Sequence, residues 1–377
     1  MRRRSGASVA RFAPLAAALA LLAACGSTPS AGTGTAATDS LLERYRARRG
    51  LPSVAAAVFV DGALVYEAAR GTRRAGESVP VSVRDPYHIG SNTKAMSALL
   101  AGMLVDEGKL RWEATVADLL GPQAAGAYAS ARLDELLSHT AGVPEMPPLA
   151  EWFGFFATGR PAGEERDRLV GVCLGLKPLW KPGAAFRYSN FGYVVAGRMI
   201  EVAAGKRWEE LVRERLFAPL GMEDAGFGPP AGPGVEPPDA PWGHAPRPVD
   251  PALANADNPP ALGPAGTVHA SLRDMERYLG LYLRAGTDAQ GRRLVSEASL
   301  EEIYRPRLAG YALGWNVHAP GGVRRLEHAG SNTTFTCQLI VVPSRGCAVV
   351  VMTNRGDAPA RRAAADLARD LAGLHGF

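Results

Sequence analysis

Two apolar runs, Val54–Val60 and Ala63–Ala69, flank Asp61-Gly62 near the start of the chain. Asp-Gly suits a turn whose central residues both need positive φ, so the pattern predicts a β-hairpin. Ser40–Arg49, just before it, reads as a short amphipathic helix. Met96, Leu99, Leu100, Met103 and Leu104 then recur at i, i+3, i+4, i+7 and i+8, the apolar stripe of a buried helix, and Gly108 marks its end. Residues from about 109 to 220 are mostly helical in pattern. Gly221–Gly266 is rich in Pro and Gly and predicts long loops. Ser271–Leu283 predicts a helix. Gly310–Val317, Arg324–His328, Phe335–Val342 and Cys347–Thr353 predict strands, and a last helix has Ala360, Ala364, Leu367, Leu371 and Leu374 on one face. Strands at both ends with helices between them predict an α/β (α+β) fold. An antiparallel sheet is built from both chain ends and flanked by helices, and a mainly helical lobe is inserted. The sheet lobe takes about 40–108 and 267–377, the helical lobe about 109–266. No internal repeat is present.

At 377 residues, with 47% hydrophobic and 21% charged content, the chain suits a soluble protein with a large core. The formal charge of +5 is misleading. Residues 1–24 hold four arginines and no acid, so the remainder carries about one net positive charge. That near-neutrality gives no electrostatic case for nucleic acid binding. Residues 1–24 themselves read as a secretory signal, with MRRRSGASVAR as basic leader and FAPLAAALALLAA as an apolar stretch too short to span a bilayer comfortably. Leu22-Ala23-Ala24-Cys25 resembles a bacterial lipobox, which implies lipidation of Cys25; a plain signal peptide with a chance cysteine is the alternative. Residues 25–39 then predict a flexible Gly/Ser/Thr tether with a reach on the order of 20 Å, holding a folded domain, 40–377, at a membrane on the extracytoplasmic side.

Of the other cysteines, Cys337 and Cys347 lie on two strands around Pro343-Ser344-Arg345-Gly346. If Val342 faces Cys347, Cys337 faces Met352, and the two thiols stand too far apart along the ladder to be bridged. No Cys/His cluster has ligand spacing, so no structural metal is expected, and no cofactor signature is present.

Only five of the 42 Lys and Arg residues are lysines. Lys94 stands three residues after Ser91 at the start of the buried-helix pattern, and no other lysine has a serine at that offset. Three residues is nearly one helical turn, so the two side chains share a face. A serine hydroxyl is a poor nucleophile until a base takes its proton. A buried lysine can cycle between protonation states, whereas arginine effectively cannot. Tyr188-Ser189-Asn190 adds a phenol that can shuttle a proton and an amide that can bind another amide. In an extended segment Tyr188 and Asn190 point the same way. In Glu327-His328-Ala329-Gly330-Ser331, Gly330 would let a substrate backbone approach the strand edge. The Ser331 N–H could then pair with that of Ser91 as an oxyanion hole.

In this order, these elements resemble the serine β-lactamase and penicillin-binding protein superfamily, closest to its class C-like branch of D-Ala-D-Ala carboxypeptidases, D-aminopeptidases and esterases. LLSHTAGV at 136–143, Lys181-Pro182-Gly183, LFAPLGM at 216–222 and YALGW at 311–315 are family-like too, and the resemblance covers about residues 40 to 375. It implies an acyl-enzyme on Ser91, Lys94 and Tyr188 as proton-transfer groups, and Ser91 and Ser331 N–H groups holding the oxyanion. It also implies substrate contacts from Asn190, His328, Gly330 and Ser331. Which of Lys94 and Tyr188 is the base stays open, and His139 is expected in a structural turn. Many β-lactamases of this branch have lysine where His328 stands, and a glycine usually found before Phe335 is replaced by Thr334, expected to narrow the cleft or alter substrate entry. The expected substrates are therefore small amides, esters or D-amino-acid peptides ahead of efficient β-lactam hydrolysis. A low-turnover receptor for wall peptides or β-lactams is the alternative.

Overall fold

The computed structural model describes residues 32–377 except 146 and 157; the segment expected to be a secretory leader and Cys25 lie outside the described residues. Its first helix, α1 (Gly32–Arg49), begins inside the segment expected to be a flexible tether. The reason is tertiary. Thr38 is buried, and Asp39 accepts hydrogen bonds from Tyr66 and Arg70 at 2.8 Å each, so this stretch is docked on the hairpin.

That hairpin, β1 (Ser53–Val60) and β2 (Ala63–Gly71), turns at Asp61 and Gly62, both at positive φ, as the Asp-Gly pair predicts. A two-residue strand, β3 (Tyr87–His88), leads through the turn Gly90–Asn92 into α2 (Thr93–Asp106). Short helices and two longer ones, α3 (Ala162–Gly175) and α4 (Asn190–Ala204), fill the middle of the chain. The Pro/Gly-rich region carries β4 (Gly226–Phe227) and is followed by β5 (Val268–Ala270), and these two join β3 in a small sheet that the hydrophobic pattern did not predict. After α5 (Leu272–Leu283) and α6 (Glu297–Tyr304) come β6 (Asn316–His318), β7 (Arg325–Ser331), β8 (Thr336–Val342), β9 (Cys347–Thr353) and α7 (Ala358–Leu374).

The main sheet is antiparallel in the order β2-β1-β9-β8-β7-β6, so β1 from one chain end pairs with β9 from the other. Its central strands are buried on both faces. Val54, Ala56, Val58, Ile340, Val349 and Val351 pack with Leu41, Leu42 and α7 residues such as Leu367 and Leu371. Ala55, Ala57, Leu339, Val350 and Met352 face the larger core around α2 and α5. Cys337 pairs with Met352 and Val342 with Cys347, the register read from the turn, and Cys173, Cys337 and Cys347 are free thiols.

The expectation of a buried helix at α2 holds and extends to its other faces, while two further expectations need correction. The stripe on α2 is only part of its burial: Thr93 to Leu104 are all buried, because Ala95, Ala98, Ala101 and Gly102 let neighbouring helices close on the other faces. The strand expected at Gly310–Val317 shrinks to Asn316–His318. Gly314 sits at φ +83° with its absent Cβ only 2.7 Å from Ala95 Cα, so Tyr311–Trp315 packs as a buried loop against the start of α2. Leu374 is exposed at the frayed end of α7.

Candidate active site

Ser91 occupies the single 3₁₀ turn that joins β3 to α2. The turn runs straight into α2, so Ser91 and Lys94, three residues apart, share one face. Gly90 at φ +53° starts this turn, and a Cβ there would lie 2.2 Å from Ser331 N. A Cβ on Gly330 would lie 1.9 Å from Ile89 O and 2.9 Å from Ser91 N. The glycine expected to admit a substrate therefore admits the protein's own Ser91 turn. The same close approach brings the backbone nitrogens of Ser91 and Ser331 to this contact.

Lys94 is fully buried, and its Nζ sits 3.0 Å from Ser91 Oγ, 2.7 Å from Asn190 Oδ1 and 2.7 Å from Ala265 O. Burial strips water from the ammonium and holds its pKa well below the usual lysine range. The rings of Tyr188 and Tyr193 cover it at 4.9 and 5.4 Å. Asn190 Oδ1 and the Ala265 carbonyl can only accept hydrogen bonds. A neutral amine has two N–H bonds for those two acceptors, and its lone pair is left for the Ser91 hydroxyl.

Tyr188 lies on the extended segment before α4, whose N-cap is Ser189 and whose first residue is Asn190, so Tyr188 and Asn190 face the same way as expected. Burial pushes the Tyr188 phenol above its ordinary pKa, opposed by a hydrogen bond with the Ser91 hydroxyl. At neutral pH it is therefore an O–H donor. His139 holds this segment from beneath. It has φ +62°, its Nδ1 accepts the Ser189 N–H at 3.1 Å, and its ring lies 4.2 Å from that of Tyr188. Burial, then the nearby Lys94 and His328, keep His139 well below the usual imidazole pKa. This is the structural turn expected of it.

His328 does not face a cleft, contrary to expectation. It is 3% exposed, with Nδ1 3.2 Å from Asn92 Oδ1 and Nε2 3.0 Å from the Tyr311 hydroxyl. Asn92 Nδ2 donates to Cys337 O at 3.0 Å, which turns Oδ1 toward the imidazole and places the ring proton on Nδ1. Burial, with Lys94 adding to it, lowers the His328 pKa to about 3, so the ring is neutral. Alternation along β7 sends His328 and Gly330 to the inner face and exposes Ala329. Thr334 also points inward. It is bonded to Asn332 Oδ1 at 3.1 Å and packed against Gly243, so it narrows no cleft.

Ser91, Tyr188, Asn190 and Ser331 are each half-buried around the sealed Lys94. β6 pairs with β7 only as far as Glu327, so among the described residues no strand lies against residues 328–331 on the side away from β8. The sequence-predicted hydroxyl, amine, phenol and amide thus converge, while His328 joins an inner network. Sequence reasoning missed Ala265, whose role is a backbone carbonyl without a side-chain signature, and Asn92 and Tyr311, which sit inside motifs already noticed. A cavity of about 750 Å³ beside α5, α6 and β6 contains none of these residues. Among the described residues no group of three His, Cys, Asp or Glu could hold a metal, and no helix is long and apolar enough to cross a membrane.

Comparison with known proteins agrees with this geometry. The chain is 30% identical over 346 residues to penicillin-binding protein 4 of Amycolatopsis lactamdurans, covering 88% of this chain and 87% of that one. It is 27% identical over 199 residues to the lovastatin esterase of Penicillium rubens, covering 47% and 49%. It is also 27% identical over 295 residues to an unguisins hydrolase of Aspergillus campestris, covering 71% and 52%, so it spans about half the length of these two fungal relatives. The solved structure of SurE with D-Leu superposes with a TM-score of 0.73 at 26% identity over 91% of this chain and 76% of that one. The octameric penicillin-binding protein homologue from Pyrococcus abyssi matches in fold, with a TM-score of 0.71 at 24% identity over 90% and 77%. The family model described as Beta-lactamase matches residues 38–374, and the chain belongs to the beta-lactamase family.

Proposed function

We propose that the protein is a serine hydrolase that forms an acyl-enzyme at Ser91. One observation carries this reading: Lys94 Nζ has two acceptor-only neighbours and the Ser91 hydroxyl, in a site that disfavours its charge. Lys94 takes the hydroxyl proton as Ser91 Oγ bonds to the acyl carbon, and the Ser91 and Ser331 N–H groups hold the oxyanion. As the carbon–leaving-group bond breaks, the Tyr188 phenol hands the departing alcohol or amine a proton and recovers one from Lys94. Water then attacks the acyl-enzyme and releases the acid. With Asn190 Oδ1 engaged by Lys94, its NH₂ is the group available to a substrate carbonyl.

The substrate class follows from charge. His328 is neutral and enclosed, so position 328 offers no fixed cation to a substrate carboxylate, and Arg325, the cation of β7, is paired with Glu327. Esters and amides without a free carboxylate beside the scissile bond therefore precede β-lactams, and D-amino-acid peptides of the cell wall stay within the amide class. The names of the relatives, which span a penicillin-binding protein, an esterase and an unguisins hydrolase, support that breadth. Cys25 is lipidated and anchors the enzyme to a membrane, facing the periplasm or cell exterior.

Labelling with a fluorescent penicillin and turnover of a short chromogenic ester, a D-Ala-D-Ala peptide and a chromogenic cephalosporin test the proposal. Ester or peptide turnover lost in Ser91→Ala is expected. Label without turnover of any substrate would make the protein a receptor. Cys25→Ser is expected to move the protein from the membrane to the soluble fraction of cells; an unchanged membrane fraction would refute the anchor.

A further inference from the structure

The Pro/Gly-rich loop before β5 delivers a carboxylate into the interior behind the site. Asp257 is 7% exposed. Its Oδ1 accepts from Asn332 Nδ2 at 2.7 Å and from the Asn258 N–H at 2.7 Å. It also lies 3.0 Å from His88 Nε2, off the line of an ideal hydrogen bond. Its Oδ2 has no hydrogen-bond partner among the described residues. A carboxylate is acceptor-only and costly to bury, so its place here calls for a reason beyond packing.

Each of the three contacts leads to a different part of the site. His88 Nδ1 accepts the Gly90 N–H at 3.0 Å, which leaves the ring proton on Nε2, toward Asp257. Gly90 starts the nucleophile turn. Asn332 directly follows Ser331, and its Oδ1 accepts from the N–H groups of Thr334 at 3.2 Å and Phe335 at 2.9 Å, which pins the bend between β7 and β8. Asn258 Nδ2 donates to Gly266 O at 2.6 Å, one peptide beyond the Ala265 carbonyl that holds Lys94. A single oxygen thus ties together the nucleophile turn, the oxyanion end of β7 and the backbone that orients the lysine.

We propose that Asp257 is a positioning residue that keeps the Ser91 and Ser331 N–H groups in register with each other and with Lys94. The inference rests on the hydrolase reading above. Asp257 touches no reacting atom; it acts through His88, Asn332 and Asn258. Small displacements of oxyanion donors are felt in the transition state more than in substrate binding, so the signature is a fall in kcat at unchanged KM.

The test uses the full chain, a short chromogenic ester, and an aryl boronic acid that becomes tetrahedral on Ser91 Oγ. Active-site titration corrects for any unfolded fraction. Asp257→Ala is expected to lower kcat per titrated site about 10²-fold and to weaken boronate binding by a similar factor, with KM within about threefold. Asp257→Asn keeps an oxygen for Asn332 and Asn258 and is expected to cost about tenfold. Should the alanine variant not fold, Asp257→Asn and Asn332→Ala carry the test. Wild-type kcat and boronate affinity per titrated site in these variants, with only melting temperature reduced, would overturn the proposal. A wild-type protein with no Ser91-dependent turnover or boronate binding would overturn the hydrolase reading, and this one with it.

Discussion

Lys94 differs from the 37 arginines of this chain in one chemical respect: it can give up its proton. Burial favours that loss, and once neutral the amine, with its two N–H bonds given to Asn190 Oδ1 and Ala265 O, has a lone pair to offer Ser91. The amine is neutral above its lowered pKa. As pH falls through that value it gains a proton and Ser91 loses its base, so kcat/KM for an ester is expected to fall on the acid side. Lys94→Arg puts a permanent cation where the proposed mechanism needs a neutral base, and a loss of about 10²–10⁴-fold in kcat is expected at every pH. Near-normal activity in Lys94→Arg, measured by ester turnover after active-site titration, would remove lysine from the role of base. Ser91 and Lys94 were legible because their offset brings them together whatever surrounds them. Asp257 was not, because nothing in a Pro/Gly-rich loop distinguishes an aspartate turned inward from one in solvent.

At the scale of elements, α5 docks on β2 through an unusual pair of carboxyls. Glu276 on α5 is 8% exposed and is pushed up to about 8, by burial first and then by Glu67 of β2, against the pull of Arg273 and Arg277. Arg273 ion-pairs with Glu67 and lies 3.9 Å from Glu276 Oε2. A carboxyl with a raised pKa in the fold contributes stability in acid that is lost as pH rises through the folded value. The melting temperature is therefore expected to decline between about pH 5 and pH 8, and Glu276→Gln to flatten that decline by about 2 °C; equal slopes in the two proteins would contradict it. Where local rules suffice, elements were legible. Asp61-Gly62 sets its own turn, and the Pro343–Gly346 turn sets the β8–β9 register. Tyr311–Trp315 has a strand-like composition but packs as a loop, because Gly314 must yield to Ala95 across the core. Residues 32–39 look like a linker but are helical, because Thr38 and Asp39 find partners on distant elements.

At the scale of the whole molecule, the sheet closes only when β1 meets β9, so the fold joins the first and last strands of the chain. Periodicity by itself determined that strands lie at both ends and helices between them, because alternation and the 3.6-residue repeat are local properties of a chain. Residue spacing likewise determined which hydroxyl and amine meet. Tertiary structure alone decided which way β7 faces, and with it that His328 is enclosed with Tyr311 and Asn92 and that Gly330 makes room for Ser91 rather than for a substrate. The physical reason is that a strand's two faces are equivalent in sequence until a core forms against one of them. A backbone carbonyl such as that of Ala265, or a buried carboxylate such as Asp257, takes on chemical meaning only from what folding places beside it.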